Sequence, residues 1–155
     1  MGIDQDFGWA FAKSQAGAGA PLPRGGTAFI SIKESDRPGS LDVVRRLQQL
    51  GFTVQATSGT AAYLRSHEVD AETVHKVKEG RPHIVDVMID GKVDLIINTT
   101  VGEQSIKDSF QIRRTALDQQ IPYFTTIRGA AAATQAIETL QKRQMKVKPI
   151  QLYYK

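Results

Sequence analysis

Residues Val93 to Asn98 read Val-Asp-Leu-Ile-Ile-Asn, a nearly unbroken apolar run. A strand of this kind suits a sheet buried on both faces, which is how parallel sheets sit between helical layers. The chain around it keeps the matching rhythm. Thr27 to Lys33 is β-rich, Phe52 to Ala56 forms a second strand, Val69 to Val77 a third and Pro122 to Thr126 a fifth. Helical patterns fill the gaps. Asp36 is placed as an N-cap with Pro38 in the first turn, Leu41, Val44, Leu47 and Leu50 supply the apolar face, and Gly51 stops the helix. Thr60 to Ser66 is a short helix, and His83 to Asp90 is another, ended by Gly91. A longer helix runs from about Gln104 to Gln119, with Ile106, Phe110, Arg113 and Leu117 on one stripe and Ile112 and Ala116 beside it. The last covers Ala130 to about Arg143 and is rich in alanine. Strand and helix alternate almost throughout, which predicts an α/β, three-layer sandwich with a five-stranded parallel sheet.

The first 26 residues do not follow this rhythm. Met1 to Gln15 read as a short helical piece with Phe7, Ala10, Phe11 and Ser14 at helical spacing. Ala16 to Gly26 is a run of small residues, prolines and glycines, the composition of a linker. The expected organisation is therefore a tail of some preceding domain plus linker over 1–26, and an α/β domain over 27–155.

The chain has 155 residues, enough for one core. It lacks cysteine, which excludes disulfides and thiol chemistry. No run is apolar enough to span a bilayer and no secretory leader is recognisable, so a cytoplasmic setting is expected. The net charge of +4 comes wholly from Lys142, Arg143, Lys146, Lys148 and Lys155; the rest carries 15 basic and 16 acidic groups. A solvated basic helix end accounts for this. Nucleic-acid binding is not expected, because no aromatics interleave with the basic residues on a groove-fitting element.

In folds of this class ligands bind at the carboxyl ends of the strands, where helices begin. Three such exits are rich in threonine and glycine: Ala56-Thr57-Ser58-Gly59-Thr60, Asn98-Thr99-Thr100-Val101-Gly102 and Thr125-Thr126-Ile127-Arg128-Gly129. Each alone is an ordinary polar cap; three together form a pattern. Glycine lets the backbone approach an anion, and hydroxyls and helix-terminal amides can receive a phosphate. Arg37, Lys76 and Arg81 supply positive charge nearby. His67, His75 and His83 have no metal-ligand spacing, and His83 with Asp86 reads as an i,i+3 structural pair.

Gly80-Arg81-Pro82-His83, Ile96-Ile97-Asn98-Thr99-Thr100 and Asp108-Ser109 followed by Ile112-Arg113-Arg114 resemble the C-terminal domain of carbamoyl-phosphate synthetase large subunits. The resemblance covers Thr27 to about Leu140, and Ala10-Phe11-Ala12-Lys13 is similar to the end of the preceding synthetase domain. It implies a methylglyoxal-synthase-like, Rossmann-like fold. It further implies a regulatory domain with neither catalysis nor a cofactor of its own, since the parent ligase uses ATP with Mg or Mn elsewhere, for arginine and pyrimidine synthesis. The implied effectors are nucleotide monophosphates, UMP as inhibitor or IMP as activator. Carried over by motif, their site would comprise Arg37, Thr57, Thr60, Lys76, Asn98 and Thr100. Arg37 stands where some relatives have lysine, and Ser58 where some have histidine. Tyr123 and Thr125 match positions that meet ornithine at the junction with the synthetase domain. The implied protein partners are the rest of the large subunit, the glutamine amidotransferase small subunit and further copies of the same chain.

Two alternatives stand beside this reading. A methylglyoxal synthase-type lyase would need an aspartate at the helix start after strand three and a histidine after strand four. The aspartate's place falls at Arg81-Pro82, and no histidine follows His83. A plain oligomerisation domain is compatible with a regulatory role.

Overall fold

A computed structural model of the chain describes residues 1–75, 80–99 and 103–153, with side chains for all of these except 103–108. Five strands, β1 (Gly26–Ser31), β2 (Phe52–Ala56), β3 (Glu72–Thr73), β4 (Leu95–Asn98) and β5 (Tyr123–Phe124), form one sheet in the order β3-β2-β1-β4-β5. Every pairing is parallel. The helices are α1 (Phe7–Gly17), α2 (Arg37–Gln49), α3 (Ser58–Ser66), α4 (Ile84–Ile89), α5 (Glu103–Asp118) and α6 (Ile127–Lys142). The α/β sandwich with five parallel strands is as the alternation predicts.

The period of two within the central strands sorts side chains between the two helical layers. Ala28 and Ile30 of β1 and Leu95 and Ile97 of β4 join one apolar cluster with residues of α1, α2, α3 and α6. Phe29 and Ile96 face the other way, into a cluster with Ile84 and Met88 of α4 and Ile112 and Ala116 of α5. On α2, Ser40, Val43, Val44 and Leu47 are buried at i, i+3, i+4, i+7 spacing. The expected Leu41 and Leu50 are only half-buried at the margins of that face. Leu47 is fully buried, and a leucine so placed contributes about 1.5–3 kcal/mol. Gly51, at φ +87°, closes α2 in the left-handed conformation that glycine tolerates. Asp94 accepts a hydrogen bond from the Thr27 amide at 2.8 Å and lies where a side chain on Gly26 would project, so glycine is needed at the start of β1.

Three sequence expectations need correction. On α5, Phe110 and Leu117 are 66% and 75% exposed, whereas Ser109, Ile112 and Ala116 are buried. The helix is turned about one position from the expected stripe, with Ile112 and Ala116 packed with Phe29 and Ile96 and Ser109 bonded to Asn98; Ile106 lies outside the described side chains. On α1 the packed residues are Gly8, Trp9 and Ala12, and Phe7 is exposed. Gly8 lets α1 press on α6 at Thr139, and Asp6 caps the helix by accepting from the Trp9 amide at 3.0 Å. The third strand is much shorter than expected over its described part. Val69 donates its amide to the Leu64 carbonyl and closes the turn after α3, so it takes no part in the ladder.

Candidate effector site

β1 lies at the centre of the strand order, with β2 and β3 to one side and β4 and β5 to the other. The chain therefore leaves the sheet in opposite directions after β1 and β4, and a crevice opens between the two exits. Thr99 ties the exits together: its hydroxyl accepts from the Lys33 amide at 3.0 Å, and its own amide donates to the Ser31 carbonyl at 2.9 Å. The motif Asn98-Thr99-Thr100 thus contributes a residue that was legible in the motif but had not been assigned to the site.

At the β2 exit, Thr57 and Thr60 are both buried. Thr57 donates its hydroxyl to Thr60 at 3.2 Å, and Thr60 accepts from the Ile32 amide at 3.0 Å. The pair pins the start of α3 to the end of β1. Thr57 is the N-cap by backbone conformation, yet its side chain makes no capping bond. Most described helix starts are different: Asp6 caps α1, His83 and Asp86 form a reciprocal capping box at α4, and Thr126 accepts from the Gly129 amide at α6. α2 resembles α3, since Asp36 makes no side-chain cap bond. Neither α2, which follows β1, nor α3, which follows β2, has a side-chain cap, but α2 continues a 3-10 turn over Glu34–Asp36, so its Arg37 amide donates to the Glu34 carbonyl and Pro38 has no N–H; it is α3 whose first-turn amides are left uncapped. Helix-terminal amides of this kind favour anions.

Arg37 reaches this start from α2. Its Nη2 atom is 3.1 Å from where a Cβ on Gly59 would lie, at the first turn of α3. Its Nε atom is shielded from solvent and has no hydrogen-bond partner among the described residues. The nearest carboxylate among the described residues, Glu34, is 3.9 Å from Nη1, beyond hydrogen-bond range, and 91% exposed. A shielded N–H without an acceptor costs about 1–3 kcal/mol; the Arg37 side chain as a whole is 26% exposed, so it is the Nη groups that can meet a ligand.

Asn98 lies deeper, 2% exposed. Its amide donates to the Ser109 hydroxyl at 3.1 Å and to the Tyr123 hydroxyl at 2.6 Å. Tyr123 is half-buried with Arg113 over its ring, and Thr125 is exposed at the β5 exit. The structure thus gathers Arg37, Thr57 and Thr60 around the β1 and β2 exits, and joins Asn98 to Tyr123 across β4 and β5. Lys76 and Thr100 lie outside the described residues; their neighbours His75 and Thr99 follow β3 and β4. His83, buried as the α4 cap, is held by Asp86.

Comparison with known proteins identifies the setting. The model of the MGS-like domain family matches residues 39–125, more than half the chain. The chain is 48% identical over 153 residues to the carbamoyl phosphate synthase large chain of Myxococcus xanthus, covering 99% of this chain and 14% of that protein. It is 49% identical over 154 residues to that of Mesorhizobium japonicum, covering 99% of this chain and 13% of the relative. It is 47% identical over 148 residues to the carbamoyl phosphate synthase large chain, C-terminal section, of Methanopyrus kandleri, covering 95% and 27%. The chain spans only a small part of each of these relatives, and within that span it is matched nearly end to end. The chain belongs to the MGS-like domain family.

Proposed function

We propose that this chain is the C-terminal regulatory domain of a carbamoyl phosphate synthase large chain, and that it binds a nucleotide monophosphate such as UMP or IMP. The observation that carries this reading is the Arg37 guanidinium, which reaches from the β1 exit to the uncapped start of α3 at the β2 exit. That arrangement suits a phosphate, whose several acceptor oxygens can be met by a guanidinium and free amides together. Thr57 and Thr60 shape the turn, Lys76 adds charge, and Asn98 and Thr100 serve the ribose or base. Tyr123 and Thr125 belong to an ornithine-responsive junction completed by the rest of the large subunit. The domain does no chemistry itself; the ATP-dependent ligase reaction belongs to the remainder of the enzyme and its amidotransferase subunit, and copies of the domain help the enzyme associate.

The test is calorimetric titration of UMP, IMP, uridine and inosine into the wild type, Arg37→Ala and Lys76→Ala. Monophosphates are expected to bind far better than nucleosides, and each charge removal to weaken the monophosphate by about tenfold or more, the value of a charge-assisted hydrogen bond. Nucleosides binding as well as monophosphates, or unchanged affinity in both variants, would refute the assignment.

A further inference from the structure

We infer that Tyr63 is a positioning residue for the anion: its ring holds the Arg37 guanidinium over the open end of α3. This rests on the reading of Arg37 as part of an effector site. Tyr63 is half-buried on α3, one turn beyond the Thr57–Thr60 pin. The Arg37 Cζ atom is 5.9 Å from its ring centre, within the reach of a cation–π contact. The tyrosine ring is itself braced. The His67 ring lies 4.3 Å away, and His67 Nδ1 is 2.9 Å from the Tyr63 carbonyl oxygen.

The arrangement matters because of how an arginine can be fixed. A free arginine side chain loses up to about 2 kcal/mol of rotamer entropy when ordered. A carboxylate partner would order it, but would occupy its donors and offset its charge. Among the described residues, the carboxylate paired with Arg37, on Glu34, stands beyond hydrogen-bond range. An aromatic face orders a planar guanidinium through its π-cloud and leaves the N–H edges available. Gly59 completes the seat, because the α3 backbone there leaves room for Nη2. Ring and glycine define one pose, with the Nη donors held at the start of α3.

The test uses the 155-residue chain with inorganic phosphate and a nucleoside monophosphate as probes, in wild type, Tyr63→Phe, Tyr63→Leu, Arg37→Ala and the double variant Arg37→Ala with Tyr63→Leu. Tyr63→Phe keeps the ring and should bind as the wild type does. Tyr63→Leu should bind roughly two- to fivefold more weakly, the scale of a partly exposed cation–π contact. In the Arg37→Ala background the leucine should cost nothing more, since the coupling runs through Arg37. A ligand-free readout accompanies binding: the Arg37 Nε–H resonance should carry a ring-current shift that survives in Tyr63→Phe and vanishes in Tyr63→Leu. Wild-type affinity in Tyr63→Leu, an equal loss in the Arg37→Ala background, or an unmoved resonance would overturn the inference. If the wild type bound neither probe, the effector reading would fail and the positioning role with it. The resonance would separate that failure from a misplaced ring.

Discussion

Both amide hydrogens of Asn98 are spent inside the protein, on Ser109 and on Tyr123. A ligand reaching Asn98 therefore meets its carbonyl oxygen, an acceptor, and must offer a donor such as a ribose hydroxyl or a base N–H. The same bonds give Tyr123 a role within this chain besides any at an ornithine junction. Tyr123→Phe removes the acceptor for a buried N–H, at a cost of about 1 kcal/mol, the lower end of the range because water can reach a half-buried ring. Thermal unfolding should show a Tm lower by roughly 2–4 °C; an unchanged Tm would mean that the bond is not made in solution. The position of Thr57, Thr60 and Asn98 at buried strand exits was legible in the sequence, because threonines and asparagine after apolar strands stand out. Tyr63 and Ser109 were not. Each lies on a helix, and only the packing of α2 against α3, or of α5 against β4, turns it toward the site.

At the scale of elements, helix and strand order followed from hydrophobic period alone, while the face a helix presents did not. α5 shows why. Ile106, Phe110 and Leu117 form the bulkier stripe, yet Ile112 and Ala116 pack with Phe29 and Ile96 while Ser109 is buried against Asn98. Steric fit decided between two stripes only one position apart. Truncations should reveal the same choice. Ile112→Ala opens a cavity and should cost about 2–4 kcal/mol, whereas Phe110→Ala and Leu117→Ala should change stability by less than about 0.5 kcal/mol. Urea denaturation measures both, and equal losses at Ile112 and Phe110 would contradict the packing. A second element-level contact joins α6 to α2. Hydrogen bonds from Lys142 and from Arg46, 2.8 Å each, hold the Glu138 carboxyl below its ordinary value of 4.5. Because the folded value is the lower one, this stability is present above 4.5 and is lost as pH falls through the folded value. Both pairs are partly exposed, so Glu138→Gln should cost only about 0.5–1 kcal/mol at neutral pH. The difference from wild type should close as the solution is acidified below the ordinary carboxylate range, and a difference constant across pH would show that charge is not its source.

For the whole molecule, the open question is whether residues 1–26 stand apart from the sandwich. Their glycine- and proline-rich end reads as a linker, and composition says nothing about docking. In the structure Trp9, Ala12 and Leu22 sit in the same apolar cluster as α2, α6 and the sheet, and Trp9 is 8% exposed. α1 lies along α6, where Gly8 allows close approach at Thr139. Lys13 adds a second tie: it reaches the Asp4 carboxylate at 2.7 Å and the Tyr153 hydroxyl at 2.8 Å, drawing both ends of the chain together. Burying a tryptophan and a leucine contributes on the order of several kcal/mol, a large part of the stability of a domain this size. α1 should therefore unfold with the sheet in one transition. The chain allows a direct test, because it contains a single tryptophan and that residue is on α1. Tryptophan fluorescence reports α1 docking, while far-ultraviolet circular dichroism reports the helices together. The two urea midpoints should coincide, as cooperative two-state unfolding requires. Trp9→Ala should lower the dichroism midpoint, by a loss of about 3–5 kcal/mol. A fluorescence transition well below the dichroism one, together with an unshifted midpoint in Trp9→Ala, would instead mark 1–26 as a tail that rests on the domain without stabilising it.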